Sequence, residues 1–346
     1  MCNTAHQIQS AEQSLNLDTI EITSEITAHT IKNTYTKRAE RKAFTQEQML
    51  HLIALNSPLE QKYRDTLQCA DRVVECEEIH TGEIKYQTMF CQKRWCAVCN
   101  NRRTSHLLKA YTPALDALTD PQLVTLTIPA VPITYKHITE AVDLMFYNFS
   151  RAKDRMRKRG YTLSGIRKLE SNYNTIAITA NPHFHLIVEG AEEAEILQKY
   201  WLEYYPSAEQ DAQNITPATE GTLFEIFKYQ AKQVCKTGVF VAEYLDIIYQ
   251  SFQGRRTLQS FGSFRKVSVE PQDALEELYI HSQEIEPQEA NIEPQIQEWE
   301  AVNIYYWRSH QYNWFNAQNI PLANTLTPDQ TKYTRDLKRQ RMQLLQ

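Results

Sequence analysis

The sequence predicts an α+β protein: a mainly antiparallel sheet with helices packed on it, preceded by a small cysteine-rich module. Three observations lead there. Strand-like and helix-like segments are mixed without regular βαβ repetition. Two strands, around 163–170 and through 183–189, flank a turn at "SNYN". Five of the seven cysteines fall within residues 69–112.

In chain order, residues 1–45 are polar and Thr-rich and lack a sustained apolar period. They are expected to form a flexible arm with a basic end, "KRAERK" (37–42). Residues 46–112 should combine a helix with the cysteine-rich module. Met49, Leu52, Ile53 and Leu55 have helical spacing, broken at "NSP". The main domain is expected over 113–270. "QLVTLTIPAV" (122–131) alternates and is rich in β-branched residues, so it predicts a strand ended by proline. "ITEAVDLMFYNFSRAKDRMRKRG" (138–160) predicts an amphipathic helix closed by Gly160. After the paired strands, "AEEAEILQKYWLEYY" (191–205) predicts a helix stopped by Pro206. A short strand near 212–218 and helices over about 222–235 and 240–253 follow. Residues 271–300 carry nine acidic residues and no Lys or Arg, which predicts an acidic linker. Residues 301–346 form a C-terminal segment with an aromatic cluster, "IYYWRSHQYNWF" (304–315), and a basic helix at its end.

Length and composition bound the function. A chain of 346 residues suggests two or three modules. No apolar run approaches the roughly 20 residues a membrane-spanning helix needs. The N-terminus lacks the basic and apolar regions of a secretory signal, so a cytoplasmic location is expected. In that compartment the cysteines are better read as metal ligands or free thiols than as disulfides. The net charge of −5 argues weakly against a nucleic-acid partner, but the charge is unevenly spread. The first 270 residues are balanced, and within them "RAKDRMRKRG" (151–160) has six basic residues and one acidic. A neutral domain with basic clumps can bind phosphates locally.

Three constellations carry chemistry. In "NPHFHLIVEG" (181–190), His183 and His185 are two apart on a strand and share a face, with Cβ atoms roughly 6–7 Å apart. Phe184, Leu186 and Val188 take the other face. Glu170, near the end of the preceding strand, can be brought to the pair by the hairpin. Two histidines and a carboxylate suit Mg²⁺ or Mn²⁺ beside a phosphate, and equally non-haem iron. A bare H-x-H is otherwise a pair of surface histidines. In "EIFKYQAKQV" (225–234), Glu225, Tyr229 and Lys232 lie on one helix face at i, i+4 and i+7. A phenol needs a cation or a polarised electrophile to act as a nucleophile. Among nineteen tyrosines, such a trio also occurs on an ordinary amphipathic helix. Finally, Cys76, Cys91, Cys96 and Cys99 have a spacing that reads as a structural tetrathiolate Zn²⁺ site, with Cys69 the rival for the first ligand. Lys93, Arg94, Arg102 and Arg103 surround this knuckle, as in small zinc modules that meet phosphate backbones.

In this order the pieces resemble the rolling-circle replication initiators of small plasmids, within the HUH endonuclease superfamily. The resemblance runs from about Cys76 to Lys266. It takes in the cysteine knuckle leading into "RR", "VTLTIP" (124–129), "GIRKLESNYN", "HFHLI", "EIFKYQAK" and "GRRTLQSFGSFRK" (254–266). Ala97 stands where the family pattern suggests proline. The resemblance implies a palm-like HUH domain over 113–270 after a zinc-ribbon-like module. It implies that His183 and His185 hold the catalytic metal, with Glu170 as third ligand. Tyr229 would attack a phosphate of a single-stranded nick site in origin DNA, stay joined to the 5′ phosphate and release a 3′ hydroxyl primer. Glu225 would activate water for a hydrolytic last step, and Lys232 would orient or neutralise the phosphate. Flanking duplex, a host helicase and a polymerase are the implied partners. Two other classes compete: a metal-dependent hydrolase or oxygenase using the same two histidines and carboxylate, and a non-catalytic zinc-ribbon DNA-binding protein.

Overall fold

The computed structural model describes residues 24–227, 240–266 and 299–326. Its described helices are α1 (Ser24–Ile53), α2 (Glu60–Leu67), α3 (Ala97–Asp116), α4 (Tyr135–Lys158), α5 (Ala191–Tyr204), α6 (Glu220–Phe227) and α7 (Ala242–Ser251). The strands are β1 (Arg72–Glu78), β2 (Ile84–Thr88), β3 (Pro121–Thr127), β4 (Val131–Pro132), β5 (Gly165–Asn174), β6 (Thr179–Glu189), β7 (Asn214–Pro217), β8 (Leu258–Phe261), β9 (Trp299–Arg308) and β10 (Asn313–Phe315). They make two sheets, ordered β7-β3-β6-β5-β8 (with β4 on β6) and β10-β9-β1-β2, and every pairing is antiparallel. The expected α+β class with an antiparallel sheet is what the chain adopts.

The larger sheet is covered on both faces, because its central strands alternate between two apolar sets. On one face, Val124, Leu126, Leu169, Phe184, Leu186 and Val188 meet α4 and α5. The apolar stripe of α4 (Ile138, Val142, Met145, Phe149, Ala152, Met156) recurs every three or four residues, so it stays on one side of the helix. Thr134 caps the helix by accepting from the His137 N–H, and three basic residues sit in its last turn, where they suit the dipole. On the other face, Ile166 and Ile187 pack with Ala110, Tyr111 and Leu115 of α3 and with Ile226 and Phe227 of α6.

Two expectations are corrected. Residues 24–45 belong to the 30-residue helix α1 rather than to a flexible arm. Tyr35 and Ala39, one turn apart, are fully buried against the smaller sheet, while Met49 and Leu52 are buried in the main core. The helix is thus held at two places by different cores, which its weak apolar period conceals. Residues 1–23 lie outside the described residues. The aromatic cluster of the C-terminal segment is not a separate unit either. β9 pairs with β1, and Trp314, fully buried, donates its Nε1–H to the Ala70 carbonyl (2.7 Å). Residues 299–326 thus share one core with the cysteine module. Most of the acidic linker (271–298) and the basic end (327–346) lie outside the described residues. No described helix is long and apolar enough to cross a membrane.

Candidate active site and cysteine cluster

The hairpin β5–β6 sets Glu170 opposite His183 and Lys168 opposite His185. Strand β3 flanks β6 on its other side, with Thr127 opposite His183 and Thr125 opposite His185. All these residues share one sheet face, since paired residues point the same way and side chains alternate along each strand. The imidazoles meet edge to face with centroids 4.8 Å apart. His183 Nδ1 donates to the Asn181 carbonyl (2.9 Å), and His185 Nδ1 pairs with Thr125 Oγ1 (3.1 Å). Each Nδ1 is thus committed, which turns the Nε2 atoms toward the space they share with Glu170. One ligand atom from each of the three residues lies within 4.8 Å of the others. His185 Nε2 is 3.9 Å from Glu170 Oε2.

Glu170 offers the site a carboxylate that is already paired with a buried ammonium. Burial pushes the Glu170 carboxyl upward, but Lys168 and the two histidines more than offset it and hold it below the usual carboxylate range. Lys168 Nζ is 3.0 Å from Glu170 Oε2, and both side chains are nearly buried. His183 is buried, whereas the His185 side chain is 30% exposed, so the site opens on the His185 side. Lys168 was not among the expected site residues. Its place in "RKLE", two before Glu170 and hence on the same strand face, is the signal that finds it.

Helix α6 lies on this same face. Ile226 and Phe227 pack on Ile166 and Ile187, which lie two residues along their strands from Lys168 and His185 and so on the same face. Thr104 Oγ1 of α3 donates to the Phe227 carbonyl (2.9 Å), tying α6 to α3. Glu225 lies within α6, and Tyr229 and Lys232 lie outside the described residues. The competing tyrosines of "WLEYYP" are placed elsewhere. Tyr204 and Tyr205 close α5 on the opposite face, where Trp201 contacts both Phe184 and Tyr205.

The cysteine cluster differs from the expected set in one member. Cys69, Cys91, Cys96 and Cys99 present sulfurs within 4.8 Å of one another, with Cys69–Cys99 at 3.5 Å and Cys91–Cys99 at 3.6 Å. Cys76 is buried but sits on β1 opposite Lys85, toward the tip of the β1–β2 hairpin. The register explains the exchange. Val73 pairs with Thr88, so the residues just before β1 run beside those just after β2, and the Ala70 N–H bonds to the Met89 carbonyl. That brings Cys69 to Cys91 and leaves Cys76 four residues up the strand from Arg72, roughly 13 Å at about 3.3 Å per residue. Within the cluster, hydrogen bonds among the four sulfurs push the Cys91 and Cys99 thiols down and the Cys69 and Cys96 thiols up, so the four titrate together. Four sulfurs this close fit a tetrahedral metal.

An antiparallel α+β domain with two histidines and a carboxylate on one face, joined to a four-cysteine module, is the architecture expected of a rolling-circle replication initiator. Residues 83–313 match the family described as "Replication protein", and the chain belongs to that family of plasmid replication initiators. It is 23% identical over 261 residues to "Protein rep" of Streptococcus pneumoniae serotype 2 (strain D39 / NCTC 7466), an alignment that covers 67% of this chain and 80% of that relative. No solved structure matches the chain.

Proposed function

We propose that this initiator nicks single-stranded origin DNA through a tyrosine, with His183, His185 and Glu170 holding Mg²⁺ or Mn²⁺. One observation supports the reading: Ile226 and Phe227 of α6 pack on the histidine–carboxylate face, against Ile166 and Ile187. Tyr229 follows Phe227 by two residues, so covalent reach alone keeps its Cα within about 7 Å of the Phe227 Cα. The cation, when bound, polarises a non-bridging oxygen of the scissile phosphate. The Tyr229 oxygen attacks phosphorus and loses its proton. The bond from phosphorus to the 3′ oxygen breaks, and that oxygen takes up a proton to leave as a 3′ hydroxyl. The 5′ phosphate stays on Tyr229. Lys232 neutralises the phosphate, and Glu225, four residues before Tyr229 in the chain, is the general base for water in a terminating hydrolysis. The free 3′ hydroxyl calls for a polymerase, and the parental duplex for a helicase. Cys69, Cys91, Cys96 and Cys99 hold a structural Zn²⁺. The test is a denaturing gel of the protein incubated with labelled single-stranded origin DNA and Mn²⁺. A covalent adduct is expected, lost in His183→Ala and in His185→Ala while both variants keep the wild-type circular dichroism. An adduct that forms at the normal rate in either variant in limiting Mn²⁺ would contradict the metal assignment.

A further inference from the structure

A second basic site lies outside the histidine–carboxylate face. A groove of about 430 Å³ opens between the cysteine knuckle and the turn after α7. Lys62, Lys93, Arg94, Arg255 and Arg256 line it, and no Asp or Glu does. Its apolar wall is Trp95, Tyr249 and Phe252, all buried, so it is a shaped cleft rather than scattered surface charge. Two of the five cations are answered from outside the groove: Asp143 takes Arg255 (2.7 and 2.9 Å), and Asp65 lies 4.0 Å from Lys93. Lys62 bonds only a neutral partner, Gln253 Oε1 (2.8 Å), among its described contacts. Arg256 is exposed beyond Gly254, whose positive φ of 71° turns the chain at this point. Desolvation and the neighbouring Arg103 push the Arg94 guanidinium down, as crowded like charges do.

The groove is coupled to the candidate active site. Arg94 donates to Thr257 Oγ1 (2.7 Å), and the Thr257 carbonyl accepts from the Leu169 N–H (2.6 Å), one residue before Glu170. Thr257 immediately precedes the edge strand β8, which pairs with β5, which pairs with β6. The basic cleft therefore meets the sheet at the Glu170 end, two strands from the histidines, or about 10 Å at 4.8 Å per strand.

We propose that this groove holds the phosphate backbone of the single strand leading to the nick site, so that the cysteine module and the "GRR" turn jointly grip DNA beside the catalytic face. The proposal rests on the nickase reading for its orientation, and its substrate class follows from net positive charge in a shaped cleft.

The test uses the full chain, a fluorescein-labelled 30-nucleotide mixed-sequence single strand, and anisotropy over a salt series without added divalent cation. Each single-strand phosphate contact contributes about 0.7 to the slope of log K against log[salt]. The Lys62→Ala/Arg256→Ala variant removes two contacts, so the slope should fall by about 1.4, and affinity at 0.1 M salt by about 25-fold on extrapolation to 1 M. The exposed pair Arg72→Ala/Lys199→Ala, on β1 and α5, should leave the slope unchanged. An unchanged slope in the groove variant, or an equal fall in both variants, overturns the proposal. So does a fall seen with the matching duplex but not with the single strand. No bond is made or broken in this measurement, so its outcome is separate from that of the Tyr229 adduct.

Discussion

Replacing Lys168 by Met tests how the face around Glu170 is balanced. Lys168 and Glu170 are 3.0 Å apart with side chains 3% and 11% exposed. At an effective dielectric of about 20, such a pair attracts by roughly 5–6 kcal/mol before desolvation. Met keeps the length and the apolar stem and deletes the charge, leaving Glu170 buried without its ammonium. Removing one partner of a buried pair costs about 3–5 kcal/mol. At about 2–4 °C per kcal/mol for a domain of this size, the melting temperature should fall by roughly 6–20 °C. A divalent cation between Glu170 and the histidines supplies the missing positive charge. Thermal melts with and without Mn²⁺ should therefore show a larger upward shift in Lys168→Met than in the wild type, by the linkage of binding to folding. A variant destabilised by less than about 1 kcal/mol, or equal Mn²⁺ shifts in both proteins, would refute the reasoning.

Three further outcomes follow from named contacts. Cys69→Ser should purify without zinc while Cys76→Ser keeps one Zn²⁺ per chain by elemental analysis; the reverse would restore the sequence-based ligand set. Trp314→Ala should cost about 3–5 kcal/mol in chemical denaturation, because it empties a fully buried site that joins α1, β1 and β9. A cost below about 1 kcal/mol would show that the C-terminal strands do not support the cysteine module. Glu225→Ala should still form the adduct but release less free product in a termination assay, and normal release would remove Glu225 from the hydrolytic step.

Much of this architecture was legible in the sequence, and the misses have physical causes. The alternation in "HFHLIV" announces a strand with two histidines on one face, and the hairpin brings Glu170 opposite His183, although "SNYN" continues β5 and the turn falls later, at 175–178. These features are local, so spacing suffices. The choice between Cys69 and Cys76 is not local. It depends on the register of the β1–β2 hairpin, which no ligand spacing encodes. The helix over 24–45 was missed for a related reason. Tyr35 and Ala39 form a stripe too thin to show a period, and what buries them lies about 270 residues away, around Trp314. Lys168 was overlooked because a lysine inside an apolar strand looks like surface alternation until its carboxylate partner is placed beside it.

The identity of the nucleophile decides the account most directly. After the wild-type protein reacts with origin DNA carrying radiolabel in the scissile phosphate, nuclease trimming and peptide mapping locate the retained phosphate. It is predicted on Tyr229, and Tyr229→Phe should abolish the adduct while keeping DNA binding, since only one oxygen is lost. Label on Tyr204 or Tyr205, which the fold places on the opposite face of the sheet, would contradict both the nucleophile and the geometry built around it.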